Sequence, residues 1–280
     1  MRCIFCKIDS SGSKSKEHII PESLGNKSYT LPKGAVCDKC NNYFARKIEK
    51  KVLELPYYKS LRGRNEIETK KGKIPGIPGF IATPNIGELE IHLNDNKVIE
   101  VNIEDKELFE RMRKGEFKQF YIPQLEQPPS DNIHISKFLG KVALEALAHR
   151  VLNIDNWQND FIENEGLDPL RDFVRFGKNY KFWPYHIRKI YDEDRIIGRS
   201  NNDLSPPLQT MYEYDFLIPN NPIINGENHK MEDLYFVCAI MGLEHTLNLT
   251  GNGLEAYYKW LDNNDNRSIL MMEKNEFHNF

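Results

Sequence analysis

The residue types with the most chemistry in them lie near the N-terminus. Cys3-x-x-Cys6 and Cys37-x-x-Cys40 place four of the five cysteines in two tight pairs. At this spacing one Zn²⁺ can take four sulfurs tetrahedrally. In a reducing compartment such pairs are more often metal ligands than disulfides. Four thiolates leave no open coordination position, so a zinc held by Cys3, Cys6, Cys37 and Cys40 is expected to be structural. The competing reading, two incidental pairs, would expose four reactive thiols in a segment too small to fold easily without a staple. Cys238 stands apart in the apolar run YFVCAIM and reads as a buried small hydrophobe. Between the pairs lies Glu17-His18-Ile19-Ile20-Pro21, and Asn41-Asn42 follows the last cysteine directly. Taken singly, these residues are ambiguous. A lone loop histidine is commonly structural or solvated, Glu17 could be a surface charge, and Asn41 could cap the helix that follows.

Taken in order, C-x-x-C, EHIIPESLGN and GAVCDKCNNYF resemble the HNH endonucleases, more closely their branch with a four-cysteine zinc knuckle. The resemblance covers residues 1 to about 55. It implies a ββα-metal fold, in which a two-stranded ribbon and a helix clasp one catalytic divalent cation. His18 takes the place of the general base that deprotonates the attacking water. Glu17 matches the acidic residue that contacts the metal. Asn41, with Asn42 sharing the position, matches the last metal ligand. The chemistry is coherent in its own right, because phosphodiester hydrolysis needs a base working near neutral pH and an imidazole titrates near ~6.5. It also needs positive charge on the phosphate oxygens, and carboxylate and amide ligands suit Mg²⁺ or Mn²⁺ better than Zn²⁺. Two departures stand out: the middle Asn of the family motif has no match in LPKGAV, and Phe44 occupies a position that is often basic. Arg46, Lys47, Lys50 and Lys51 lie nearby, either to meet phosphates or as the solvated face of a helix.

These residues need elements to hold them. YFARKIEKKVLEL, from Tyr43 to Leu55, spaces Phe44, Ile48, Val52 and Leu55 for one apolar helix face, and Pro56 ends it. LEIHLNDNKVIEVNI alternates around Asn-Asp-Asn and predicts a β-hairpin. ISKFLGKVALEALAHRVLN is the strongest helix signal, with Phe138, Val142, Leu147 and Val151 facing inward, and a shorter helix is expected around LDPLRDFVRFG. KFWPYHIRKIY, TMYEYDFLI and LYFVCAIMGLEHTLNLT are β-prone, the last as a hairpin. Trp183, Tyr185, Arg188 and Tyr191 form either a base-stacking cluster or a core-edge strand. The fold class expected is α+β: a zinc-stapled ββα-metal module over 1–55, a basic linker over 56–75, and a mixed α+β domain with an antiparallel sheet over 76–280.

Composition narrows the function classes. Hydrophobic residues make up 40% of the 280, enough for a packed core. No apolar run approaches the eighteen or so residues of a membrane span, and the N-terminus lacks a secretory signal, so a cytoplasmic protein is the expectation. The net charge of −3 hides an asymmetry: residues 1–75 carry 17 Lys and Arg against 8 Asp and Glu, and the remainder is acidic. A basic head on an acidic body suits a module that meets phosphate. The reading is a metal-dependent HNH endonuclease acting on nucleic acid, with DNA the expected substrate by family analogy. A homodimer is expected if two strands are cut. The acidic body is either a regulatory domain answering a small-molecule or protein activator, as in a defence effector, or a substrate grip. The alternative is a non-catalytic zinc-knuckle binding or interaction protein.

Overall fold

The computed structural model describes residues 1–69, 71–81, 87–93, 99–117, 119–197, 208–209, 211–219 and 233–272. Along the chain, β1 (Glu17–His18) and β2 (Thr30–Leu31) precede α1 (Asp38–Phe44), a π-turn (Ala45–Glu49), α2 (Lys50–Leu53) and α3 (Pro56–Arg64). Next come β3 (Ile77–Ile81), β4 (Gly87–Leu93), β5 (Ile99–Asn102) and α4 (Lys106–Arg113). The long helix α5 (Ile133–Val151) is followed by α6 (Trp157–Glu163), α7 (Asp168–Phe176), β6 (His186–Lys189), β7 (Ile196–Ile197) and β8 (Leu208–Gln209). β9 (Tyr212–Leu217), β10 (Tyr235–Ile240), β11 (Leu243–Asn248) and α8 (Glu255–Asn263) complete this mixed α+β fold with antiparallel sheets.

Contacts divide the chain into two compact units, and the division is not sequential. One joins Met1–Ile20 and Asn26–Glu49 to Pro129–Phe280; the other joins Pro21–Gly25 to Lys50–Pro128. In the first unit the sheet order is β6-β11-β10-β9. The predicted hairpin is present: β10 and β11 pair from Tyr235↔Asn248 to Ile240↔Leu243. Met241 and Gly242 both have positive φ, which matches a two-residue turn to the twist of its strands. β10 is buried on both faces because its two sets of alternate residues each find a cover. Tyr235 and Val237 pack with Leu217, Leu254, Tyr257, Leu261 and Ile269. Phe236, at 0% exposure, meets Tyr214 and Phe216 through ring contacts on the opposite face.

Helix α5 forms where the sequence placed it, with Asn132 accepting from the N–H groups of His134 and Ile135 as N-cap. It is not one-sided, however. Phe138 and Val142 are buried as expected, but so are Ser136, Leu139, Lys141, Leu144 and Glu145, whereas Leu147 and Val151 are only half-buried. The reason is its neighbours: α5 touches α6, α7, β2, β11 and the π-turn, so almost every side of it is covered. Gly140 permits the closest approach, since a Cβ there would meet Val174 Cγ2 at 2.6 Å.

In the second unit β3, β4 and β5 form an antiparallel sheet. Its core comprises Ile77, Ile81, Leu89, Ile91, Ile103 and Leu108. β4 and β5 are the two arms of the predicted hairpin; the Asn-Asp-Asn turn lies outside the described residues. The stretch read as a basic linker carries α3, with Pro56 at its first turn, where the missing N–H costs nothing. Tyr57, Tyr58 and Leu61 are buried there. Pro56 thus begins a helix as well as ending one. No element was expected over α4, which Asp105 caps through the N–H groups of Glu107 and Leu108. Among the described residues no helix is long and apolar enough to cross a membrane.

Candidate functional site

The four cysteines are brought together as the spacing demands. Their sulfurs all lie within 4.8 Å of one another, with Cys6 and Cys37 at 3.7 Å. Zn–S bonds of ~2.3 Å at tetrahedral angles require sulfurs about 3.8 Å apart, so the cage fits that ion. Local backbone builds it. In the first knuckle the Lys7 N–H donates to Cys3 O and the Cys3 N–H to Ile8 O, with Lys7 at positive φ. Ile4 N–H donates to Ala35 O at 2.9 Å and ties the two knuckles together. The second knuckle opens α1: Cys37 is the N-cap, and its sulfur accepts from the Cys40 N–H at 3.4 Å. Cys37 N–H donates to Cys3 Sγ, and Arg175 Nε–H to Cys40 Sγ at 3.1 Å. Donors aimed at sulfur stabilise thiolates. A hydrogen bond from Cys40 holds Cys3 down at about 5, burial pushes Cys6 up to about 11, and the same crowding of sulfurs raises Cys40. A bound Zn²⁺ would offset the mutual repulsion of thiolates held this close.

Glu17 and His18 form β1, paired with Leu31 and Thr30 of β2. Asn26 pins the loop between these strands. It is 0% exposed, its Nδ2 donates to Ile20 O and Tyr29 O, and its Oδ1 accepts from the N–H groups of Ser28 and Tyr29. His18 is half-buried, and its Nδ1 is buried with no hydrogen-bond partner among the described residues. Asn41 is half-buried one turn into α1, with its backbone N–H bonded to Cys37 O. Capping of this helix therefore falls to Cys37, and the Asn41 side chain is not used for it. The predicted apolar face is present, with Phe44, Ile48 and Val52 each at 1% exposure or less.

Glu17 is 6% exposed and is met by a residue the sequence reading passed over. Lys141 of α5, at 0% exposure, places its Nζ 2.6 Å from Glu17, 2.7 Å from Glu49 and 3.0 Å from Glu145. The same ammonium donates to the main-chain O of His18 at 3.3 Å. Burial alone would lower the Lys141 pKa, but Glu145, Glu17 and Glu49 together lift it well above the ordinary lysine value. Burial pushes Glu145 well above the carboxylate range, against the opposing pull of Lys141. A signal was present: KVALEALA puts a Lys and a Glu at i and i+4 in a run otherwise made for a core. Among the described residues the cysteines are the group of three or more His, Cys, Asp or Glu close enough to hold a metal, and Glu17 is not gathered into a second one.

The Trp183 cluster is core-edge structure. Trp183 Nε1–H donates to Asn248 O, Tyr185 OH to Pro129 O, Arg188 to Glu244, and Tyr191 OH to Glu213. These groups are already committed within the protein.

A zinc-compatible four-sulfur cage, a two-stranded ribbon and a helix launched from the second knuckle lie within one N-terminal segment. Residues 3–54 match the family model described as HNH endonuclease. Comparison of the chain with curated proteins and with solved structures returned no match.

Proposed function

We propose that the chain is a metal-dependent endonuclease that hydrolyses phosphodiester bonds of nucleic acid, DNA in the first instance, at the ribbon carrying His18. The observation that carries this reading is the coincidence of the HNH match over residues 3–54 with a half-buried histidine on β1, which lies between the two cysteine pairs in the sequence. With Nδ1 buried, Nε2 is the nitrogen assigned to take the proton of the attacking water. Glu17 and Asn41 are the residues assigned to hold a hard divalent cation, Mg²⁺ or Mn²⁺, whose charge would stabilise the phosphate oxygens in the transition state. Zn²⁺ at Cys3, Cys6, Cys37 and Cys40 acts structurally, fixing the loop that carries His18 relative to α1. A double-strand break calls for two such centres, hence a pair of chains.

The role of residues 129–280 follows from what they touch. Lys141, Arg171 and Arg175 reach into the module, so this part serves the nuclease first as scaffold. Regulation by an activator, including in a defence setting, would have to act through that packing. A non-catalytic zinc-knuckle binder remains the second reading, favoured by the engagement of Glu17 with Lys141.

Purified protein incubated with supercoiled and linear DNA, in Mg²⁺, Mn²⁺ or EDTA, tests the assignment beside a zinc-loaded His18→Ala variant. Metal-dependent cutting that drops by roughly 10²–10⁴-fold in the variant is expected. Cutting at the native rate by His18→Ala would remove the base from His18. No cutting by either protein, together with DNA retardation in gels, would favour the binding module.

A further inference from the structure

Outside the module itself, the most unusual chemistry is a lysine ammonium sealed inside the first unit. Lys141 and Glu145 are at 0% exposure, and Glu17 and Glu49 have side chains 6% and 13% exposed. We propose that Lys141 is a positioning residue for the nuclease centre: it clamps β1 by both the Glu17 side chain and the His18 carbonyl, and so sets where the His18 imidazole stands. The inference rests on the reading of His18 as the base.

The argument is one of constraint. β1 and β2 are two residues each, and an isolated two-stranded ribbon of that length is marginal on its own. Asn26 pins the loop, and Lys141 anchors the strand itself. Oxygens of Glu17, Glu49, Glu145 and His18 all lie within 3.3 Å of this one nitrogen, so the ammonium is enclosed by groups from β1, the π-turn and α5. The π-turn Ala45–Glu49 supplies one of the four through Glu49, so the same nitrogen joins β1 to the stretch that follows α1, the helix bearing Asn41. Burying such a cluster is a poor way to gain stability, since apolar groups of similar volume usually do as well. What it adds over an apolar contact is direction: His18 O and the Glu17 carboxylate are both held relative to a helix covered on most of its sides.

The test uses the full chain in three forms: native, Lys141→Met/Glu145→Leu, and the control Glu145→Gln. The double variant replaces charge by apolar volume while leaving Glu17, His18 and Asn41 intact. It is expected to keep its zinc and its circular dichroism, to lose at least tenfold in kcat with KM within about twofold, and to exchange the amide of Ile19 at least tenfold faster. Glu145→Gln, which leaves Glu17, Glu49 and the His18 carbonyl on the ammonium, is expected to match the native protein in both readouts. A folded double variant with native kcat and native exchange would overturn the proposal. If the double variant does not fold, ¹⁵N NMR of the native protein decides. A slowly exchanging Lys141 Nζ, distinct from the surface lysines, supports the clamp, and a rapidly exchanging one refutes it. A native chain that cuts nothing would sink the nuclease reading alone, because the exchange and Nζ measurements need no turnover.

Discussion

Cys3 and Cys37 show how closely the chemistry here depends on single atoms. Cys37 Sγ accepts the Cys40 N–H of the helix it caps and Cys3 Sγ accepts the Cys37 N–H of the opposite knuckle, so losing a sulfur removes a ligand and an anchor together. Cys37→Ser is expected to bind no stoichiometric Zn²⁺ and to lose its cooperative unfolding transition. Zinc assay and thermal melts check this, and a zinc-free variant melting at the native temperature would show that the cage is dispensable. A strong thiol-competing chelator should act on the native protein in the same direction. At this scale the sequence was a good guide to the cysteines, since two C-x-x-C pairs state a ligand set through local spacing alone. It was a poorer guide to Asn26 and Lys141. Asn26 works through backbone groups of its own loop, which residue type alone does not announce. Lys141 meets Glu17 across more than a hundred residues of chain.

Individual elements carry two further expectations. Where α5 passes α7, Gly140 leaves no room for a side chain: its Cβ would sit 2.6 Å from Val174 Cγ2 and 3.0 Å from Leu170 Cδ1. Gly140→Val should lower stability by about 1–3 kcal/mol, read as a lower denaturation midpoint at unchanged m-value. A midpoint equal to the native one would mean that the helices part at no cost. Strand β11 sets a pH dependence. Burial lowers the His245 pKa to about 4 from 6.5, so the native imidazole stays neutral while the unfolded one protonates. The unfolded state then binds more protons, and the contribution present above pH 6.5 is lost as pH falls towards 4. It amounts to about 3 kcal/mol when fully lost. His149 and His186, also lowered by burial, act in the same direction. Urea titrations between pH 7 and 4 should show this slope, and His245→Gln should flatten it. An unchanged slope would assign the acid limb to other groups. These elements were legible in outline because periodicity marks a helix or a hairpin. How many sides of α5 would be covered was not, because that depends on which other elements arrive.

On the scale of the whole molecule, the main finding is that the HNH segment does not pack as a unit by itself. Arg171 Nε–H donates to Ile4 O at 2.9 Å, Arg175 reaches Cys40, and Lys141 sits among Glu17 and Glu49, all from the far side of the sequence. A chain ending at residue 75 should therefore bind zinc with little cooperative structure and show less nuclease activity per molecule than the full protein. Circular dichroism and cleavage assays on the fragment check this. A compact fragment cutting faster than the full chain would instead make residues 129–280 a restraint. By itself the amino-acid sequence determined the four-sulfur cage, the HNH signature, the order and type of the principal helices and hairpins, and the mixed α+β class. All of these rest on spacings within a few tens of residues, where covalent geometry and local hydrogen bonding dominate. Only the tertiary structure decided that α3 is a helix within a second unit, that Trp183 and Tyr185 are core-edge residues, and that a lysine from α5 is the counter-ion of Glu17. Each of those outcomes depends on which side chains compete for a desolvated partner once the chain has closed on itself.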